Sequence, residues 1–366
     1  MHTVRKKVLV VLMGGTALQK GSPLEPMTAG EAAEFMKKYL RPFGIQYEIK
    51  FIIAALSKLW DSGDTQCADI KAAAMKIARR YKEIDGVIVI CGTGRAARIV
   101  AGLSLVFRKS LRIPILVNGS LQAPQEAEGD FHLQIKSTTK AINWFMRTRR
   151  VVGVHFVWRH AVLHGARLMK VSDAIEPAFV TPGRFPIATI SSSSDEVYVE
   201  SHAPLLDLIM PPAGFELHTQ FSLKVQSDIQ VTADDNPWLL RMMANSGLYD
   251  AVILNVADPP SRPFPKRPYH SWEDAIRHAT QKGMLVCIVF PWQPSRVNLD
   301  KYRLGKKAKR AGAEGMGSLT PAMAEMKLRQ GFAENPGIRR AVIEFLRTEV
   351  VDEFMPGSGQ EGQEES

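Results

Sequence analysis

Apolar residues in the first half of the chain fall into short runs at residues 8–13, 87–90, 113–117 and 151–157. Between them lie longer stretches, 31–40, 68–81, 96–107 and 137–148, in which apolar positions recur every three or four residues. The first pattern predicts strands buried on both faces, the second helices with one apolar face. Strictly alternating strands and helices imply parallel pairing with helices on both sides of the sheet. The expected fold class is therefore α/β, with a doubly wound parallel sheet in the N-terminal domain.

The alternation pauses after the fourth run. Ser191-Ser192-Ser193-Ser194 and Met210-Pro211-Pro212-Ala213-Gly214 are turn and linker residues. The pattern then restarts with a helix at 237–246, a strand at 251–255, a helix at 271–282 and a strand at 284–290. Helical segments run from there to about 354. We expect an N-terminal domain over 1–212, a smaller α/β domain over 213–355, and a disordered Gly, Glu, Gln and Ser tail over 356–366. No internal repeat occurs at a solenoid period.

Two domains suit 366 residues, and 45% apolar with 23% charged residues is an ordinary globular composition. The net charge of +10 is spread along the chain, which reads as a solvated basic surface and also fits attraction to RNA or anionic substrates. Cys67, Cys91 and Cys287 are too few and too far apart for a disulfide scaffold or a CxxC metal site, and suit a reducing cytosol. No apolar run approaches the roughly 18 residues of a membrane span. The N-terminal Arg5-Lys6-Lys7 with its six apolar followers mimics a signal peptide, but reads better as a buried strand entering a Gly-Gly turn.

Reactive side chains in parallel sheets collect where strands end and helices begin. After the first strand comes Gly14-Gly15-Thr16, and after the second Cys91-Gly92-Thr93-Gly94-Arg95. Each is either a plain strand-to-helix turn or a hydroxyl presented beside a ligand, and two at one sheet edge could converge. Asp61-Ser62-Gly63-Asp64 precedes a helix and also suits simple capping. Lys170 follows the fourth strand; a lysine serves as a base only when its surroundings favour the free amine. His132, His155, His160 and His164 lack metal-ligand spacing and read as structural or surface residues; Trp158 and Trp292 read as packing. No metal or cofactor is called for.

In this order the motifs resemble the bacterial-type L-asparaginases, a family that also contains the amidase subunit of the archaeal glutamyl-tRNA(Gln) amidotransferase. The resemblance spans roughly residues 4–350. It is carried by 8–16, Asp61-Ser62-Gly63-Asp64, Asp85-Gly86 with the run through Thr93, Pro114 to Gly119, and Gly165-Ala166-Arg167-Leu168-Met169-Lys170. In the second domain, Ser295-Arg296-Val297-Asn298 and Gly317-Ser318-Leu319-Thr320-Pro321 continue it; Thr320 before Pro321 also fits an N-cap and first-turn proline. The resemblance implies an oligomeric (dimeric or tetrameric) hydrolase of a small-molecule amide such as L-asparagine. Thr16 would be the nucleophile, Thr93 and Lys170 would supply the proton relay, and Ser62 would hold the substrate carboxylate. Gly15, Gly63, Gly92 and Gly94 would line the substrate, with backbone N–H groups near the threonines for the oxyanion.

Three departures stand out. The family's aspartate after the second threonine, which binds the substrate ammonium and lies near the lysine, is Gly94 here, followed by Arg95. An uncompensated buried ammonium costs about 3–5 kcal/mol, enough to cut asparagine use by a factor of hundreds. The loop over 17–28 lacks the family's tyrosine; Ser22 and Thr28 are its remaining hydroxyls. Val256-Ala257-Asp258-Pro259-Pro260 replaces Gly-Ser-Gly-Asn. These departures leave three readings: an amidohydrolase altered toward substrates without a free α-ammonium, a non-catalytic binding protein of the same fold, and an amidase acting on aminoacyl-tRNA. The last is motivated by the net charge and by Lys306-Lys307-Ala308-Lys309-Arg310, which also suits a solvated helix face.

Overall fold

The computed structural model describes residues 6–43, 49–61, 63–126, 129–173, 177–194, 196–199, 215–231, 236–256, 271–290 and 297–355. The chain forms two compact units, Met1–Thr219 and Gln220–Ser366. The expected boundary at 212/213 and the expected tail over 356–366 lie outside the described residues.

In chain order the first unit contains β1 (Lys6–Gly14), β2 (Gln19–Lys20), β3 (Glu25–Pro26), α1 (Ala29–Leu40), β4 (Ile49–Trp60), α2 (Cys67–Arg80), β5 (Gly86–Ile90) and α3 (Ala96–Phe107). It continues with β6 (Pro114–Asn118), α4 (Phe131–Thr148), β7 (Gly153–Trp158), β8 (Ala161–His164), β9 (Met169–Lys170), β10 (Phe179–Val180), β11 (Ala188–Ile190) and β12 (Val197–Val199). Its main sheet has the order β12-β11-β8-β7-β6-β5-β1-β4. β4, β1, β5, β6 and β7 pair in parallel. Val8, Val10 and Leu12 join a core with α1 and α4, while α2 and α3 lie against the opposite face. Such strands read as unbroken apolar runs because neither face meets water.

Two features differ from the sequence expectation. The 12-residue β4 at the parallel edge was not anticipated, so Gly86–Ile90 is the third strand of the parallel set in chain order. And the sheet is mixed: β8 returns antiparallel to β7 through a two-residue turn in which Arg159 takes φ 48, and β11 and β12 extend that antiparallel edge. Lys170 therefore follows a hairpin, on the short ribbon β9/β10, instead of following a fourth parallel strand directly. His155 on β7 and His164 on β8 face each other as cross-strand partners with ring centroids 6.1 Å apart. Both are buried, and burial pushes His155 down to about 3, helped by His164, so its ring is neutral at ordinary pH.

The second unit contains β13 (Val225–Val231), α5 (Trp238–Ser246), β14 (Ala251–Val256), α6 (Trp272–Gln281), β15 (Leu285–Val289), α7 (Arg303–Arg310), β16 (Glu314–Gly315), α8 (Pro321–Glu334) and α9 (Arg339–Arg347). Among the described residues, its strands pair in parallel in the order β13-β14-β15-β16. Thr320 caps α8 by accepting from the Met323 N–H, with Pro321 at the first turn, as its sequence suggested. A fully buried ion pair, Lys327 Nζ to Glu353 Oε1 at 2.5 Å, ties α8 to the segment after α9. Glu353 also accepts from the Val350 and Val351 N–H groups, and Lys327 donates to Thr348 O at 2.6 Å.

Candidate functional site

The turns bearing Gly15, Thr16, Gly92 and Thr93 follow the carboxyl ends of β1 and β5, with those of β4 and β6 beside them. β1 ends in Gly14 and Gly15 follows, at φ 105 and 88, a region open to glycine at little cost. There is also no room for a side chain. A Cβ on Gly14 would lie 2.0 Å from the Trp60 carbonyl oxygen, and one on Gly15 would lie 2.2 Å from Gly92 Cα. Gly15 donates to Trp60 O at 2.8 Å, which locks the end of β1 to the end of β4. The Thr16 turn and the Thr93 turn are thus pressed backbone to backbone.

Thr16 opens a short 3-10 turn closed by Leu18 N–H to Gly15 O at 2.8 Å. It is half-buried, and its hydroxyl makes no hydrogen bond among the described residues. Thr93 is buried in a second 3-10 turn ahead of α3. A Cβ on Gly119, just past β6, would meet the Cys91 carbonyl oxygen at 2.5 Å and Thr93 Cγ2 at 3.2 Å, so a third glycine lets the Thr93 turn close down.

Lys170 reaches this cluster from a distant part of the chain. Gly165 permits the approach, since a Cβ there would lie 2.1 Å from Val154 O. Arg167, fully buried, donates from Nε and Nη2 to Pro182 O at 2.9 and 2.5 Å and pins the segment. The Lys170 side chain is 18% exposed, lies 6.0 Å from the Phe179 ring centroid, and donates from Nζ to Thr93 Oγ1 at 3.2 Å. The same Nζ is ion-paired with Asp173 Oδ1. Sequence reasoning did not single out Asp173; its only signal was a carboxylate three residues past a candidate lysine.

The other candidates are placed less completely. Gly63 has open space around its Cα, and Arg95 Nη2 donates to its carbonyl at 3.5 Å. Gly94 is exposed. Ser62 lies outside the described residues, as do 257–260, Trp292, Ser295 and Arg296. The capping expected of the Asp61–Asp64 loop falls instead to Gln66 and Asp69, which form a capping box at the start of α2. On the loop lacking the tyrosine, Thr28 is engaged in a capping box with Glu31. The Glu31 carboxyl is held down at about 2 by a hydrogen bond from Lys20 and by the Thr28 contacts. Burial pushes the Cys91 thiol, beside Gly92, up to about 12, so it is no nucleophile at neutral pH.

Comparison with known proteins gives these features a setting. A family model described as "Asparaginase, N-terminal" matches residues 7–204. The chain is 23% identical over 345 residues to a glutamyl-tRNA(Gln) amidotransferase subunit from Aeropyrum pernix, covering 90% of this chain and 75% of the relative. It is 20% identical over 365 residues to the corresponding protein of Metallosphaera sedula, covering 96% and 77%. Among solved structures it is similar to the thermostable L-asparaginase of Thermococcus kodakarensis, with TM-score 0.79, 20% identity and coverage of 95% of this chain and 99% of that one. L-asparaginase I of Vibrio cholerae gives TM-score 0.77, 21% identity and coverage of 96% and 99%. At these identities the structural likeness speaks for the fold. Among the described residues no helix is long and apolar enough to cross a membrane.

Proposed function

This chain belongs to the asparaginase family of amidohydrolases, and from that premise we propose that it hydrolyses a small amide to acid and ammonia through Thr16. The observation that carries this reading is the Lys170 to Thr93 contact at 3.2 Å, made beside the turn that bears Thr16. The Thr16 oxygen attacks the amide carbon and its proton passes to the leaving nitrogen, so that the C–N bond breaks and ammonia departs. A water then attacks the ester carbon and its proton passes through the Thr93 hydroxyl, which the Lys170 ammonium holds in place by its hydrogen bond. The Thr16 oxygen leaves and is reprotonated. A lone threonine hydroxyl is a poor nucleophile near neutral pH, and the chemistry needs both the relay and backbone N–H groups at the oxyanion.

The substrate class follows from what stands beside Thr93. Gly94 offers no carboxylate to an α-ammonium, and Arg95, against Gly63, adds positive charge. Amides with a blocked or missing α-amine fit this surrounding better than asparagine does. Ammonia release from asparagine, glutamine and their N-acylated forms, measured for the parent and for Thr16→Ala, tests the proposal. We expect turnover of the blocked amides, lost in Thr16→Ala. No release from any of them, with the variant indistinguishable from the parent, would favour a binding protein of the same fold.

An amidase acting on aminoacyl-tRNA is the second reading, favoured by the two amidotransferase relatives. The basic helix α7 supports it weakly, because Lys309 is paired with Asp300 and Lys307 lies near Glu273. Binding of tRNA that weakens steeply with salt would support this reading.

A further inference from the structure

Lys170 is the one cation that touches a candidate hydroxyl among the described residues. A lysine stem has many rotamers, and an ammonium resting on a single neutral hydroxyl is weakly fixed. Here Nζ has two partners. One is Thr93 Oγ1 at 3.2 Å, buried; the other is the Asp173 carboxylate, 87% exposed. Asp173 lies just past β9, three residues beyond Lys170. Gly94, adjacent to Thr93, contributes no side chain, so the carboxylate on Lys170 comes from the lysine's own segment and not from the threonine's.

We propose that Asp173 is the positioning residue of the Thr93–Lys170 pair: its carboxylate fixes the Lys170 ammonium against the Thr93 hydroxyl. The consequence is a division of tasks. A carboxylate beside Thr93 would serve both the lysine and a substrate ammonium. A carboxylate carried on the lysine's own segment holds the lysine, while Gly94 brings no side chain to the threonine's turn. The chemistry of the relay is kept while recognition of an α-ammonium is given up. Only the kinetic part of this inference rests on the proposed amidohydrolase activity.

As a stabilising contact, an ion pair with one exposed partner counts for little. Thermal melting of the full chain is therefore expected to be unchanged in Asp173→Asn, which makes the remaining readouts specific. The first needs no turnover. Lys170 is labelled with a small amine-directed acylating reagent and followed by peptide mass mapping, with the exposed Lys136 as internal reference. In Asp173→Asn the Lys170 to Lys136 rate ratio should rise about two- to fivefold, because the carboxylate no longer holds the ammonium. The second readout is ammonia release: kcat should fall about tenfold or more with KM little changed, since a small displacement of a relay group is costly, and Asp173→Glu should restore part of it. An unchanged labelling ratio overturns the proposal whether or not the enzyme turns over. A raised ratio with unchanged kcat also overturns it. Absence of ammonia release by the parent refutes the amidohydrolase reading instead, and the labelling ratio then decides the positional claim alone.

Discussion

Gly15→Ala is the most informative single change in the scaffold. The residue takes φ 88 with ψ 176, an essentially glycine-only region where a Cβ costs about 1–3 kcal/mol. The added methyl would lie 2.2 Å from Gly92 Cα, 2.4 Å from Gly92 N and 2.8 Å from the Cys91 carbonyl carbon. All three are backbone atoms at the end of a buried strand, so no rotamer change relieves the clash. Overpacking of this kind costs a further 1–3 kcal/mol or so. The sum, about 2–6 kcal/mol, corresponds to a melting temperature lower by roughly 4–24 °C in a unit of this size. Whatever part is relieved by movement must separate the Thr16 turn from the Thr93 turn, so ammonia release should fall by about a hundredfold. Gly63→Ala is the control: nothing lies within 4 Å of its Cβ position, and a change within about 0.5 kcal/mol is expected. A Gly15→Ala protein that melts with the parent and keeps its rate would refute the claim that these two turns are held in backbone contact.

Two further predictions concern stability. The folded pKa of His155, about 3, lies below its ordinary 6.5, so the unfolded chain takes up the proton first and stability is lost as pH falls below 6.5. Urea unfolding between about pH 5 and 6.5 should show a loss approaching 1.4 kcal/mol per unit that is absent in His155→Gln; coincident slopes would contradict it. Lys327→Met removes the cation beside the buried Glu353 carboxylate and should cost about 3–5 kcal/mol, much of it recovered on adding Glu353→Gln; a fully stable single variant would show that the pair carries no such burden.

Much of the first unit could be read from the chain because its central strands are buried on both faces. The run over 8–13 and the helix Ala96–Phe107 stand out for that reason. β4 is hard to read from the chain because Phe51 to Leu56 is apolar without a period, which suits a buried helix segment as well as a strand, and at the sheet edge most of its residues are only half-buried. β8, β11 and β12 are three or four residues long and antiparallel, too short for any periodicity to register. The two glycine-flanked threonines were legible because tight strand-end turns require glycine. The order of the motifs, more than any one of them, indicated that Lys170 belongs with them. Asp173 was not legible: a carboxylate three residues from a lysine is commonplace, and only the fold of the β9/β10 ribbon turns it onto Nζ.

The proposed catalysis stands or falls on the Thr16 hydroxyl. The decisive measurement is ammonia liberated from N-acylated asparagine and glutamine by the parent chain and by Thr16→Ala, prepared side by side and shown to melt alike. Steady release by the parent and none above background from the variant is the predicted result. Equal release from both, or none from either, would contradict a threonine-based amidohydrolase.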